Sequence, residues 1–155
     1  MTENAPTLTV HMQQRSKFPE LPDRRVMLRW MRAAVETDAE FTVRFVDLEE
    51  GRELNHQFRG RDYATNVLTF DYAREPVVMA DIVIAVPVLV REAEEQGKTF
   101  REHLAHLLVH GVLHARGYDH LDEEEAEEME ALETKILTGM GFPNPYSDRI
   151  GMVHD

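Results

Sequence analysis

The stretch from Thr99 to Gly117 restricts the fold of this chain more than any other. Thr99 with Glu102 three residues later forms the capping-box pattern that opens a helix, and Leu104, Leu107, Leu108 and Leu113 recur at helical spacing. Gly117 supplies the residue that ends a helix in the left-handed conformation. The pattern predicts a largely buried helix that also carries His103, His106, His110 and His114. His110 and His114 are four residues apart, so their imidazoles stack on one face and can converge on a single ion. Gly117 turns the chain back, which lets His120 return to the same ion. Three neutral imidazoles with a fourth position left to water is the arrangement of catalytic zinc, whereas a structural zinc site is closed by four ligands, usually including cysteine. The chain has no cysteine, so a closed thiolate site is excluded.

Histidine usage supports this focus, because five of the eight lie between residues 103 and 120. His106 shares the face of His110, but a fourth imidazole would close the site; it is read as a core residue or a support for a ligand. His103, His56 and His154 are expected at the surface, and His11 on the polar phase of a strand. Asp119 suits either a hydrogen bond that orients a ligand or a plain turn cap. The spacing of His110, His114, Gly117 and His120 is that of the metzincin zinc signature, with one departure. Gly111 stands where that signature has the glutamate that activates water, so peptide hydrolysis by that route lacks its base.

The full run His110-Gly111-Val112-Leu113-His114-Ala115-Arg116-Gly117-Tyr118-Asp119-His120 resembles the H-G-x-L-H-x-x-G-Y-D-H motif of the YbeY family, bacterial metal-dependent endoribonucleases of ribosomal RNA maturation. Further matches are Leu54-Asn55 through Phe58-Arg59, Thr65 to Phe70, Asp81 to Ile84, and Glu124 to Met129; the resemblance covers nearly the whole chain. Where the family often has T-D-V-L-S-F, this chain has Asn66 and Thr69, which keep size and polarity. The resemblance implies a single-strand-specific endoribonuclease acting in 16S rRNA 3′-end maturation and ribosome quality control. It implies one Zn2+ per chain on His110, His114 and His120, with His114 and Arg59 as catalytic residues. Implied partners are the 16S rRNA precursor, ribosomal small-subunit components and a ribosome-associated GTPase.

The chemistry is consistent with that expectation. A three-histidine zinc site lowers the pKa of a bound water to about 7 without a glutamate base. The nucleophile can be that water or the 2′-OH of the RNA, and three imidazoles also accept nickel and copper. Phosphodiester cleavage adds negative charge on phosphoryl oxygens, for which a guanidinium offers paired donors. Arg59 matches the arginine of the family motif; by composition alone it would be a surface residue in a polar turn. Two rivals remain: a metalloprotease-like hydrolase, and a ribosome-assembly factor with a purely structural metal.

At 155 residues the chain fits one domain, 1–155, and no apolar run approaches the roughly 20 residues of a membrane span. Met1 to Pro6 has neither the basic nor the apolar region of a signal peptide, and with no cysteine the expected location is cytoplasmic. The net charge of −12 has the wrong sign for a general nucleic-acid binder, but its distribution is uneven. Residues 1–75 hold eleven basic against thirteen acidic side chains, and residues 76–155 six against sixteen. Nine of the fifteen residues from Asp119 to Glu133 are acidic, a pattern expected of a solvated helix face. RNA contacts must therefore draw on the arginines of the first half; Arg24, Arg25, Arg29 and Arg32 of the first helix suit either a solvated outer face or part of an RNA-backbone surface.

Period-two alternation predicts strands at residues 7–13 and 41–48, with further strands at 65–70 and 80–86, the last apolar almost throughout, as expected for a strand covered on both faces. Helices are predicted from Pro22-Asp23 to Val35 with Val26, Trp30, Ala33 and Ala34 inward, and from Leu48 to Phe58 behind an Asp47 cap. Others follow at Val88 to Gln96, after Thr99, and from Asp122 to Thr138. The expectation is an α+β domain, a mixed four-stranded sheet packed with about five helices and bearing a metzincin-like three-histidine metal site.

Overall fold

In the computed structural model, residues 5–119 and 121–146 are described, and they form a single α+β domain. Four strands, β1 (Leu8–Gln13), β2 (Ala39–Val46), β3 (Val67–Ala73) and β4 (Val78–Ala85), lie in the order β1-β2-β4-β3. The first two and β4 are parallel, while β3 runs antiparallel to β4 on the outside of the sheet. Five α-helices surround them: α1 (Arg24–Arg32), α2 (Leu48–Arg59), α3 (Val86–Gln96), α4 (Phe100–Ala115) and α5 (Glu123–Gly139). No described helix is long and apolar enough to cross a membrane.

Alternation decides which face each strand residue buries. Phe41, Val43 and Phe45 of β2 with Ile82 and Ile84 of β4 build the main core beneath Trp30, Met27 and Met31 of α1, Leu104, Leu108 and Leu113 of α4, and Met129 and Leu137 of α5. On the opposite face Val46, Leu68, Val83 and Ala85 form a smaller cluster with Leu54 of α2 and Phe70 of β3. Strand β4 is thus covered on both sides, which explains its apolar run. Helix α4 lies over one face of the β4–β3 half and α2 over the other.

The local signals at element ends act as expected. The Asp47 side chain accepts from Glu50 N at 2.9 Å, and the capping box of Thr99 and Glu102 closes in both directions. Several boundaries differ from expectation. Helix α1 stops at Arg32, its buried residues are Met27, Trp30 and Met31, and Ala33 is exposed. Strand β2 begins at Ala39, and β3 continues to Ala73 through an irregularity in register between Asp71 and Ala73.

Candidate functional site

Helix α4 brings His110 and His114 onto one side, their rings nearly parallel at 12° with centroids 6.4 Å apart. The helix ends as Gly117 predicts: Gly117 N donates to His114 O at 3.0 Å, Tyr118 N donates to Leu113 O at 3.1 Å, and Gly117 takes φ +110. This pair of bonds turns the chain directly after His114. The third candidate ligand, His120, lies outside the described residues. Among the described residues no group of three or more His, Asp or Glu side chains could hold an ion.

The polar centre behind the pair is Glu133 of α5, fully buried. Its Oε2 accepts from His110 Nδ1 at 2.6 Å, and its Oε1 accepts from His106 Nε2 at 2.9 Å and from the Tyr146 hydroxyl. Burial pushes the Glu133 carboxyl up, but the hydrogen bonds from His106 and His110 and their charges outweigh it and hold the group at about 2. The carboxylate fixes the His110 tautomer, because a proton on Nδ1 leaves Nε2 as the lone-pair nitrogen. His106 is committed differently: its Nε2 faces Glu133, and its Nδ1 is buried without a hydrogen-bond partner. It supports the centre, as its position one turn before His110 suggested. Two imidazoles side by side, one of them oriented by a buried carboxylate, fit a metal such as zinc.

Glu133 is the functional residue that sequence reasoning missed. It closes an acidic run otherwise read as solvated, and Glu124, Glu125, Glu127 and Glu128 are indeed exposed. The signal was its spacing: Met129, Glu133 and Leu137 recur every four residues and are the buried residues of α5. His103 is a second correction. It was expected at the surface but is 4 % exposed, and its Nε2 lies 2.8 Å from Glu92 Oε1 of α3. Asn66 donates to the same oxygen at 3.1 Å, so it ties the start of β3 to α3 and α4.

Gly111 has a packing reason. A Cβ there would stand 3.1 Å and 3.2 Å from the side chain of Ile82 in β4. A glutamate at this position would have to enter the core beneath α4, so the missing protease base has no room on this helix. On the other side of the turn, the Arg74 guanidinium lies where a Cβ on Gly117 would meet it at 3.1 Å, and it pairs with Asp71 at 3.4 Å.

Arg59 is the last residue of α2, followed by Gly60 in the left-handed conformation. It is exposed and has no hydrogen bond or ion pair among the described residues. No described contact joins it to His110 or His114. Its neighbour Phe58 packs edge to face on Phe70, centroids 5.1 Å apart, on the α2 side of β3. Phe58 and the helix that carries the histidines therefore lie on opposite faces of β3, and Arg59 follows Phe58 at the end of α2.

Comparisons with known proteins give the family of the chain. The family model for endoribonuclease YbeY matches residues 10–141. A Delftia acidovorans protein named endoribonuclease YbeY is 56 % identical over 141 residues, covering 86 % of this chain and 93 % of its own length. Another of that name from a Polaromonas species is 62 % identical over 127 residues, with 81 % of this chain and 82 % of its own covered. The solution structure of a Thermotoga maritima protein superposes with a TM-score of 0.56 at 27 % identity, over 86 % of this chain and 91 % of its own. With a family model spanning most of its length and relatives this similar, the chain belongs to the endoribonuclease YbeY family.

Proposed function

We propose that this protein is a zinc-dependent endoribonuclease of single-stranded RNA, acting in the cytoplasm on the 3′ end of the 16S rRNA precursor and in ribosome quality control. Its partners on this reading are small-subunit components of the ribosome and a ribosome-associated GTPase. Family membership supports the reaction class, and one observation supports the metal: His110 and His114 lie side by side with His110 oriented by the buried Glu133.

The residues divide the work. His110 and His114, with His120, hold the ion, and the Glu133 carboxylate keeps the His110 ring turned so that Nε2 faces outward. When bound, zinc lowers the pKa of a coordinated water and polarises a phosphoryl oxygen. Arg59, uncommitted to any carboxylate, holds the scissile phosphate and offsets the negative charge that builds up on it. The Ile82 contact at Gly111 leaves no room on α4 for a glutamate between the two histidines.

The test is metal content of untagged protein together with cleavage of a single-stranded RNA by wild type and His114→Ala. The expected result is one zinc per chain in the wild type, and a folded variant that has lost both zinc and cleavage. Wild type that carries zinc and cleaves no RNA would leave a metal-stabilised assembly factor in its place.

A further inference from the structure

Seven large apolar side chains are exposed among the described residues, and three of them, Phe58, Tyr63 and Tyr72, are aromatics confined to the end of α2, the loop after it and strand β3. Phe58 is 56 % exposed while its ring leans on Phe70. Tyr72 is 66 % exposed, and its hydroxyl donates to Asp81 Oδ2 at 2.5 Å; Asp81 is the cross-strand partner of Phe70. The three rings of Phe58, Phe70 and Tyr72 thus form a row on one face of the outermost strand. Tyr63 is 53 % exposed and is anchored beside the last turn of α2, where Asn55 Nδ2 donates to its carbonyl at 2.7 Å.

Two guanidiniums lie beside these rings. Arg44, Arg52, Arg74 and Arg116 are each paired with a carboxylate. The α1 arginines Arg24, Arg25, Arg29 and Arg32 have no such partner among the described residues, so it is the company of exposed rings that sets Arg59 and Arg61 apart. Arg59 and Arg61 have no carboxylate partner among the described residues, and the Arg61 guanidinium instead reaches the Tyr63 hydroxyl at 3.4 Å. In a chain of net charge −12, two uncompensated guanidiniums among exposed rings are chemistry for an anion that also carries flat apolar groups. Single-stranded nucleic acid has both, because its bases are unstacked and its phosphates run alongside. A duplex hides its base faces and would leave the rings unused.

Resting on the endoribonuclease reading, we propose that Phe58, Tyr63 and Tyr72 form a stacking platform for the bases flanking the cleaved bond, with Arg61 on the adjoining phosphates. The RNA strand then crosses the edge of β3. Its scissile phosphate lies between Arg59 and the α4 histidines, and the neighbouring bases rest on the face turned away from α4. Such a platform is tolerant of sequence, since every base offers a π face, and it selects unpaired RNA.

The experiment compares Phe58→Leu, Tyr63→Leu and Tyr72→Leu with wild type. Affinity is measured by anisotropy of a labelled single-stranded oligoribonucleotide on the His114→Ala background, and KM and kcat on the active background. Each leucine variant should weaken binding and raise KM about tenfold, the scale of one lost stack, with kcat and thermal midpoint little changed. Tyr72→Phe keeps the ring and loses only the bond to Asp81, so it should bind like wild type. Leucine variants that bind and cleave normally would overturn the platform and leave the endoribonuclease standing. The same holds if they keep RNA affinity but lose a protein partner from the ribosomal fraction. Wild type that neither binds nor cleaves single-stranded RNA would overturn the platform and the reading beneath it.

Discussion

The two faces of β3 are built on opposite principles. On the α4 side, the polar groups are committed: Glu133 is fully buried with three donors on its two oxygens, and His106 and His110 are locked to it. On the α2 side, they are uncommitted: Arg59 has no described partner, and Phe58 and Tyr72 are more than half exposed. A metal site must be preorganised, because an ion selects ligand geometry within a few tenths of an ångström and a loose imidazole loses affinity. A surface for a flexible polymer needs the reverse, with groups whose hydrogen-bonding capacity is still available when the substrate arrives. On the proposed reading these requirements fall on opposite sides of one strand, so each can change without disturbing the other.

That separation is testable by showing that each side fails in its own way. The largest effect is expected from Arg59→Ala, which should cut cleavage of single-stranded RNA by about a hundredfold or more, the scale of one lost stabilising donor in a transition state. Zinc content and unfolding temperature should stay at wild-type values, since Arg59 makes no described contact. Cleavage retained in this variant would remove the assigned role; zinc lost with it would break the separation of the two faces.

Glu133→Gln attacks the other side. An amide keeps the shape but must present an NH2 group to one of the imidazole or hydroxyl donors. Zinc affinity should fall about ten- to a hundredfold, read by competition with a chromophoric chelator. The same mismatch should cost about 1–3 kcal/mol in denaturant unfolding of the metal-free protein. RNA affinity on the His114→Ala background should not move. Unchanged zinc affinity would show that His110 holds its orientation without the carboxylate.

The contrast between the faces also explains what could be read from the chain. Helix α4 was legible because its start, buried stripe and end are local: Thr99 and Glu102 bond each other, the leucines recur on one face, and Gly117 takes a positive φ. So was the pairing of His110 with His114. Glu133 was obscured, since eight acidic neighbours between Asp119 and Glu130 suggest a solvated face and its partners come from another helix. His103 was misplaced for the same reason, with Glu92 and Asn66 brought to it by α3 and β3. The length of β3 escaped because pairing with β4 carries the strand through the irregularity after Asp71. His120, the third ligand in the motif, lies outside the described residues.

Gly111→Ala tests whether the floor under the histidines is as tight as the Ile82 contact implies. The added methyl should cost about 1–3 kcal/mol of stability, with zinc affinity lowered less than in Glu133→Gln. A neutral or stabilising result would mean that Ile82 gives way easily, and that a side chain at this position is compatible with the fold.

The smallest effect should come from Glu92, the half-buried counterpart of Glu133 on α3. Its Oε1 accepts from His103 at 2.8 Å and Asn66 at 3.1 Å. Burial pushes the carboxyl up, yet these hydrogen bonds and the nearby positive charge hold it below the ordinary 4.5. A carboxyl depressed in the folded state contributes stability that is present above its unfolded value and is lost as pH falls through the folded one. Part of the acid sensitivity of the fold should therefore appear below about pH 4.5 and be missing in Glu92→Gln, at a cost of about 1 kcal/mol at neutral pH. Because Glu92 touches His103 and not the His110–His114 pair, zinc affinity should be the same in both proteins. A variant that loses zinc as Glu133→Gln does would mean that the buried polar groups along α4 act as one connected network, and that orientation of the ligands is shared between α3 and α5.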